Sequence, residues 1–460
     1  MAIIAPFKGV RFNSDKINNL EDVVTPPYDV ISEEDGTKFL EKNAYNMIQL
    51  DLRNTSQGAE GDADRYTNAK TLFETWQDQS ILIRDDKPAI YLYCIDYTHP
   101  SGRQLTRKGL ISLVGLAEFS EGIIKPHEKT FDAVISERMK LMEECKAQFS
   151  KVFSIYHDSD GTVIEILENA RDDKPVSLVT DHIGNTHTIW RVADPAALDR
   201  VMRCFSDKPV YIADGHHRYT TALGCRNNAK RINPDLPDDS PYNFIMMYLC
   251  AAEDEGLSVL PTHRLLNYPG AVTANEAVGM IKESFDVEEI NGASREILVA
   301  EVLARMNEYE MTSTGTVFGL YHAGEDRCFF LTMKKEYEQY ASLTEKSEAI
   351  RRLDVVVLSE LLINQCLGID HKRIVREKLI SYFSDPDVGI DVAVKRSVSD
   401  EDATPLLLLL NPTRVKQVTE VADQGEIMPH KSTYFYPKIM TGLVINKLVA
   451  DEKIYLAELT

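Results

Sequence analysis

The run Tyr211-Ile212-Ala213-Asp214-Gly215-His216-His217-Arg218-Tyr219 constrains the fold more tightly than any other stretch of the chain. An apolar strand pattern that begins near Lys208 stops at a glycine, and helix-forming sequence follows at once. Such a corner puts the unpaired N–H groups of a helix start, and the positive end of its dipole, beside His216, His217 and Arg218. It is suited to an anion. Arg218 adds a planar fork that matches phosphate oxygens. Asp214, at the strand end, can orient a histidine or hold a metal ion. A plainer alternative has the histidines capping the helix and Asp214 paired with Arg218. Polar, titratable and flexible residues crowded between apolar flanks are costly for fold alone, which favours chemistry.

Strand and helix signals alternate along the remainder. Residues 89–97 and 109–118 read as strands joined through the turn-forming His99-Pro100-Ser101-Gly102. A second hairpin is predicted from Val176–Thr180, Gly184-Asn185 and His187–Val192, and a third from 316–322 and 327–333. Helices are expected over Ala63–Gln79, Asp132–Phe149 and 351–367, and after Asp194-Pro195 and the Thr273/Glu276 capping box. Leu406–Leu410 reads as a buried strand. Hairpins mixed with strand–helix units predict an α+β fold with α/β-like mixed sheets. The length, 460 residues, fits two domains, with a boundary at Tyr268-Pro269-Gly270: 1–270 a phosphate- or nucleotide-binding domain carrying the Asp-Gly-His-His-Arg corner, and 271–460 a second α/β domain expected to contribute the Lys431–Lys438 segment to the cleft.

Composition narrows the function classes. The apolar fraction of 43% is that of a globular protein. A net charge of −21 is poorly suited to coating nucleic acid, which needs clustered Lys and Arg. The seven cysteines are scattered, with no Cys-x-x-Cys pair, and read as buried free thiols of a reducing compartment. Neither a signal peptide nor a membrane span is apparent, so a cytoplasmic location is expected. Phosphate-loop, dinucleotide, nucleophile-elbow and His-Glu-x-x-His signatures are missing.

Three further stretches carry polar groups beside prolines. In Lys125-Pro126-His127-Glu128-Lys129-Thr130, Glu128 can serve as a general base with His127 beside it. In Met428-Pro429-His430 to Lys438, Lys431 and Lys438 offer charge, and Ser432 and Thr433 hydrogen bonds, with Tyr434 adjacent. Pro261-Thr262-His263-Arg264 is a shorter candidate of the same kind. The expected substrate-binding residues are thus His127, Thr262, His263, Arg264, Lys431, Ser432, Thr433 and Tyr434.

Together with Pro6-Phe7-Lys8-Gly9 and Thr25-Pro26-Pro27-Tyr28-Asp29-Val30, these stretches resemble the uncharacterised bacterial and archaeal family called domain of unknown function 1015, almost end to end. Locally, Asp214-Gly215-His216-His217-Arg218 resembles the signature of the ParB/sulfiredoxin-like superfamily. That superfamily includes the archaeal ADP-dependent free-serine kinase, which also carries Asp-Gly-His-His-Arg. The resemblance implies a ParB/sulfiredoxin-like core with large insertions, and a helix start that grips nucleotide phosphates. Family members tend to be encoded beside serine-biosynthesis enzymes, which implies phosphoryl transfer involving serine or phosphoserine. The kinase's catalytic glutamate lies upstream of the signature; Glu128 and Glu33 are the candidates here, with Asp29 as a carboxylate substitute.

The leading expectation is a phosphotransferase acting with ATP or ADP on a small hydroxyl compound. Gly215, His216, His217 and Arg218 would hold nucleotide phosphates, and Mg2+ near Asp214 would bridge them. Glu128 would take the hydroxyl proton, with Asp214, His216 and His217 also in the catalytic set. Lys431, near Arg218, would neutralise developing charge. The alternatives are a phosphoserine-type phosphatase, a metal-dependent hydrolase with His127, His216, His217 and His263 as ligands, and a non-enzymatic nucleotide- or DNA-responsive ParB-like regulator. Adjacent helical histidines point about 100° apart, which disfavours one shared metal.

Overall fold

The computed structural model describes residues 1–51, 62–313, 315–339, 343, 345–399 and 402–457. The chain divides into two compact units, residues 1–258 with 435–460, and residues 259–434.

The first unit is built on a nine-stranded mixed sheet. Its strands are β1 (Ile4–Ala5), β2 (Ile90–Thr98), β3 (Gln104–Gly115), β4 (Ile124–Lys125), β5 (Val152–Tyr156), β6 (Ser177–Thr180), β7 (Thr186–Val192), β8 (Val210–Asp214) and β9 (Phe244–Ala251). Their spatial order is β4-β8-β5-β9-β3-β2-β7-β6, with β1 on β3. Two pairings are parallel, β8 with β4 and β9 with β5. The expected hairpins β2–β3 and β6–β7 form, the first turning at Gly102 with φ 83°.

One face of the sheet buries Leu92, Leu110, Val152, Ile212, Met247 and Leu249. Against it pack Ile166 of the helix Thr162–Ala170, Val201 of Pro195–Arg203, and Tyr219 and Ala222 of the helix His216–Ile232. Each such side chain contributes roughly 1.5–3 kcal/mol when fully buried. The helix 195–203 starts as predicted, with the Asp194 carboxylate accepting from the Ala197 N–H. The helix expected over 132–149 is shorter. α1 (Asp132–Cys145) stops where Lys146 turns left-handed at φ 48°, and Ala147–Gln148 become a strand. The helix after the glycine, α2 (His216–Ile232), begins at once, so the His-His-Arg run forms its first turn.

The second unit carries a six-stranded antiparallel sheet. Its strands are β10 (His263–Pro269), β11 (Phe285–Ile290), β12 (Val317–His322), β13 (Arg327–Met333), β14 (Ile380–Phe383) and β15 (Ala403–Leu409). They lie in the order β11-β13-β12-β15-β10-β14. Leu265, Leu407 and Leu409 pack against Val299, Val302 and Met306 of α3 (Arg295–Thr312). The continuous helix expected over 351–367 is broken. Leu353 adopts an extended conformation after the turn Glu348–Arg351, and α4 (Asp354–Val357) then runs into a wide π-helical segment, Leu358–Cys366. The helix α5 (Val415–Asp423) follows β15.

The boundary expected at 270 falls instead at residue 259, because β10 runs through the predicted turn and pairs with β15 as far as Pro269. Residues 435–457 also depart from expectation. They return to the first unit, where Ile445 bridges Val10, Thr441 bridges Thr25, and Asn446–Lys447 pair with Ala147–Gln148. Five of the seven cysteines are buried, and all seven are free thiols, as anticipated. Among the described residues no helix is long and apolar enough to cross a membrane.

Candidate functional site

Parallel pairing of β4 with the edge of β8 brings both C-terminal ends out on the same side of the sheet. The loop after β4 therefore delivers His127 and Glu128 to the corner where β8 passes through Gly215 into α2. In open sheets containing parallel strands, ligands collect outside the carboxyl ends of the strands. A bulge between Ile212 and Asp214 leaves Ala213 out of the ladder with β5, in which Asp214 pairs with Phe153. Gly215 makes the turn at φ 94°, ψ 31°. A Cβ there would stand 2.9 Å from the Arg218 Cζ, so the corner needs glycine for both backbone and space.

The histidines are fixed by main-chain donors. His216 Nε2 accepts from the His127 N–H at 3.2 Å, and His217 Nε2 accepts from the Phe131 N–H at 3.0 Å. Phe131 also stacks on the His217 ring. With Nε2 of His216 an acceptor, the proton of the neutral ring sits on Nδ1, which faces the Glu128 carboxylate at 3.8 Å. His127 and His216 are both buried, their rings edge to face at 4.7 Å. Burial pushes the His127 imidazole down to about 4. Burial, with His127 beside it, holds His216 well below its ordinary value. Both rings are therefore neutral at pH 7. Glu128 is three-quarters covered and lies at the mouth of the corner.

Asp214 is held by two cations. Lys438 Nζ lies 2.7 Å from Oδ2, and Arg218 Nη2 lies 3.4 Å from Oδ1. Burial alone would raise this carboxyl; Lys438, then Arg218, hold it well below the usual carboxylate range. Arg218 is itself buried. Its Nη1 donates to the Lys151 carbonyl and its Nη2 is 3.8 Å from Asp29. The guanidinium expected to grip phosphate is thus committed to the protein, which agrees in part with the plainer alternative of an Asp214–Arg218 pair. Arg218 also lines a small pocket of about 50 Å3 with Asp51, Arg138 and Ser150, too small for a substrate. Burial raises Asp51 to about 6, although Arg138 and Ser150 oppose it. The Lys151 ammonium donates to the Met440 carbonyl at 2.6 Å and is pushed down to about 7 by burial and Arg218.

A bound magnesium ion fits this donor set poorly. Each Asp214 oxygen faces a cationic side chain, and a divalent cation would have to displace them. Among the described residues no three His, Cys, Asp or Glu side chains converge as a metal site, and His263 lies in the second unit. Glu33 lies at the exposed start of the helix Glu33–Lys42.

The remaining expected residues lie in the second unit and are described apart. Ser432 is buried; its hydroxyl donates to the Pro429 carbonyl at 2.5 Å, and its own carbonyl accepts from Thr413 at 2.7 Å. His263 is buried, its Nδ1 accepts from the Leu410 N–H at 3.3 Å, and burial lowers it to about 4. Lys431 is exposed and its backbone is left-handed at φ 58°; Thr433 and Tyr434 are half-buried. Arg264 is only 3% exposed. It stacks on Tyr382 at 4.9 Å with Nη2 3.5 Å from the Lys431 carbonyl, and its Nε and Nη1 make no hydrogen bond among the described residues. Thr262 beside it is buried, with its hydroxyl also unbonded.

Sequence reasoning named Lys438 as a charge but placed the weight on Lys431. It missed Lys151 and Asp51 entirely. A single lysine before an apolar strand carries no signal of burial, and Asp51 stands in a segment without a recognisable motif.

Among solved structures, a mutant free serine kinase in complex with ADP is similar at 12% identity and a TM-score of 0.31, covering 73% of this chain and 92% of that one. A conserved hypothetical protein from Pyrococcus furiosus is similar at 13% identity and 0.30, covering 72% and 92%. SbnI with a C-terminal truncation, from Staphylococcus aureus, is similar at 10% identity and 0.32, covering 72% and 85%. No curated protein matches the chain. The family model described as protein of unknown function (DUF1015) matches residues 4–356. The chain belongs to the DUF1015 family.

Proposed function

We propose that the corner formed by Glu128 and the start of α2 is the active site of a phosphotransferase. It moves a phosphoryl group between ATP or ADP and a small hydroxyl compound, with serine the expected acceptor. The observation that carries this reading is the approach of the Glu128 carboxylate to within 3.8 Å of His216 Nδ1, directly beside the helix start. The nucleotide and serine come from the resemblance of Asp214-Gly215-His216-His217-Arg218 to the ParB/sulfiredoxin-like signature, and so does the proposed ParB-like core.

In this mechanism the backbone N–H groups of His216, His217 and Arg218 receive the phosphate oxygens. Arg218 acts through the protein, holding Asp214 and the Gly215 turn in place. Lys438, rather than Lys431, meets charge developing on the transferred group. Glu128 takes the proton from the acceptor hydroxyl, whose oxygen then bonds to phosphorus as the bridging P–O bond of the nucleotide breaks. His216 orients the Glu128 carboxylate through its Nδ1 proton. Magnesium enters as the counter-ion of the nucleotide phosphates and so belongs to the substrate. A phosphatase with a histidine nucleophile fits less well, because Nε2 of both His216 and His217 already accepts a main-chain hydrogen bond.

Glu128→Gln tests the assignment. It is expected to lower the turnover number by about 10²–10⁴ while nucleotide affinity stays within about twofold. A variant with full turnover would remove Glu128 from the mechanism. For the second unit, Thr262, His263, Arg264, Lys431, Ser432, Thr433 and Tyr434 stay proposed as a ligand-binding set, with Arg264 the group that meets an anion. Arg264→Met with unchanged substrate KM would end that assignment.

A further inference from the structure

The second unit holds a cavity of about 650 Å3 that none of the expected site residues line. It is bounded by the end of α3 at Glu310, by Thr316 just before β12, by Arg351 and Arg352, by Asp354 at the start of α4, and by Arg414 just before α5. The volume is that of small-molecule sites, whereas the lining is far more polar than most of them. It therefore suits a hydrophilic ligand.

The charges of this cavity do not cancel. Arg414 Nε donates to Glu310 at 2.7 Å, and Arg352 pairs with Glu348 on its own helix. Arg351 and Asp354 are left. No ion pair or side-chain hydrogen bond engages the Arg351 guanidinium among the described residues. Burial, with Glu310 nearby, pushes the Asp354 carboxyl up to about 7, and Thr316 lines the cavity with it. A guanidinium without a protein counter-ion thus stands in the same cavity as an acid that is readily neutral. Guanidinium groups bind oxyanions through two parallel N–H donors.

We propose that this cavity is a second ligand site, which binds a small hydrophilic molecule through its phosphate or carboxylate group. Arg351 meets the oxyanion, and Thr316 and Asp354, which share the lining, hydrogen-bond the ligand beside it. The site is built wholly from residues of the second unit and does not rest on the reading of the Asp214 corner.

The test is the rate at which phenylglyoxal modifies Arg351 in the full chain, followed by mass spectrometry in chloride, inorganic phosphate or citrate at one ionic strength. An anion at ten times its dissociation constant is expected to slow modification by about tenfold. Arg376, exposed on the helix His371–Glu377 and outside the lining, serves as control and keeps its rate. Protection by phosphate alone assigns a phosphoryl ligand, and protection by citrate alone a carboxylate; protection by both supports an oxyanion of either kind. Equal Arg351 rates in all three salts, or equal slowing of Arg351 and Arg376, overturn the proposal.

Discussion

At the residue scale the corner depends on one backbone angle and one ion pair. Gly215→Ala forces φ 94° on a residue with a Cβ and drives that atom against Arg218, itself pinned by Lys151 and Asp214. A loss of about 1–3 kcal/mol in denaturant unfolding is expected. Lys438→Met should cost about 1–3 kcal/mol at pH 7, because Asp214 keeps its charge with only Arg218 opposite it. The native pair lowers the Asp214 pKa, so its contribution is present above the ordinary carboxylate range and is lost as pH falls through and below it. Wild type and variant should therefore converge in stability on acidification; a difference that persists under strong acid would contradict the assignment. Lys151 has the opposite arithmetic. Its ammonium is pushed down to about 7, so the unfolded chain binds more protons above that pH. Wild type should gain on Lys151→Met as pH rises from about 7 towards 10, by at most about 1.4 kcal/mol per pH unit. The chemical residue types at the corner were legible in the sequence because glycine, two histidines and an arginine interrupt an apolar pattern. Their partners were not, since Lys438 lies 224 positions from Asp214 and no local spacing encodes that contact.

At the element scale, what places Glu128 is the parallel β4–β8 pairing. Two residues of β4 pair with β8, Ile124 with Val210 and Lys125 with Tyr211. Ile124→Pro would disrupt this edge strand and release the 126–131 loop from the start of α2. Activity is expected to fall together with amide protection at His127 and Phe131, whose N–H groups donate to His216 and His217. Unchanged protection in that variant would show that the loop is held otherwise. The hairpins and capped helix starts were readable because turn residues and capping boxes act locally, as at Thr273 and Glu276. The early stop of α1 at Cys145 was not, because apolar periodicity continues past it and only the strand pairing of Ala147–Gln148 with Asn446–Lys447 ends the helix. The break at Leu353 was hidden because the apolar residues on either side of it, Ile350 and Val355 to Leu358, read together as one helix.

At the scale of the whole molecule, the second unit is an insertion between two parts of the first. A chain ending at residue 434 would lose Lys438, the bridges of Thr441 and Ile445, and the strand Asn446–Lys447, all of which serve the first unit. Such a truncation is expected to abolish cooperative unfolding of the first unit and to open it to limited proteolysis, while residues 259–434 keep their own core. An α+β class was legible from alternating signals, and Lys431–Lys438 were expected to return towards the cleft; the pairings of Thr441, Ile445 and Asn446–Lys447 were not legible, because nothing in those residues marks such distant partners. The central claim is that the Glu128 corner performs nucleotide-dependent phosphoryl transfer. The most direct test is to follow phosphorus by NMR with the purified protein, magnesium, serine, and ATP or ADP in turn, with Glu128→Gln as control. The account predicts a phosphoserine signal that requires the nucleotide and vanishes in the variant. Phosphoserine formation that survives Glu128→Gln, phosphate release without nucleotide, or no transfer with either nucleotide would contradict it.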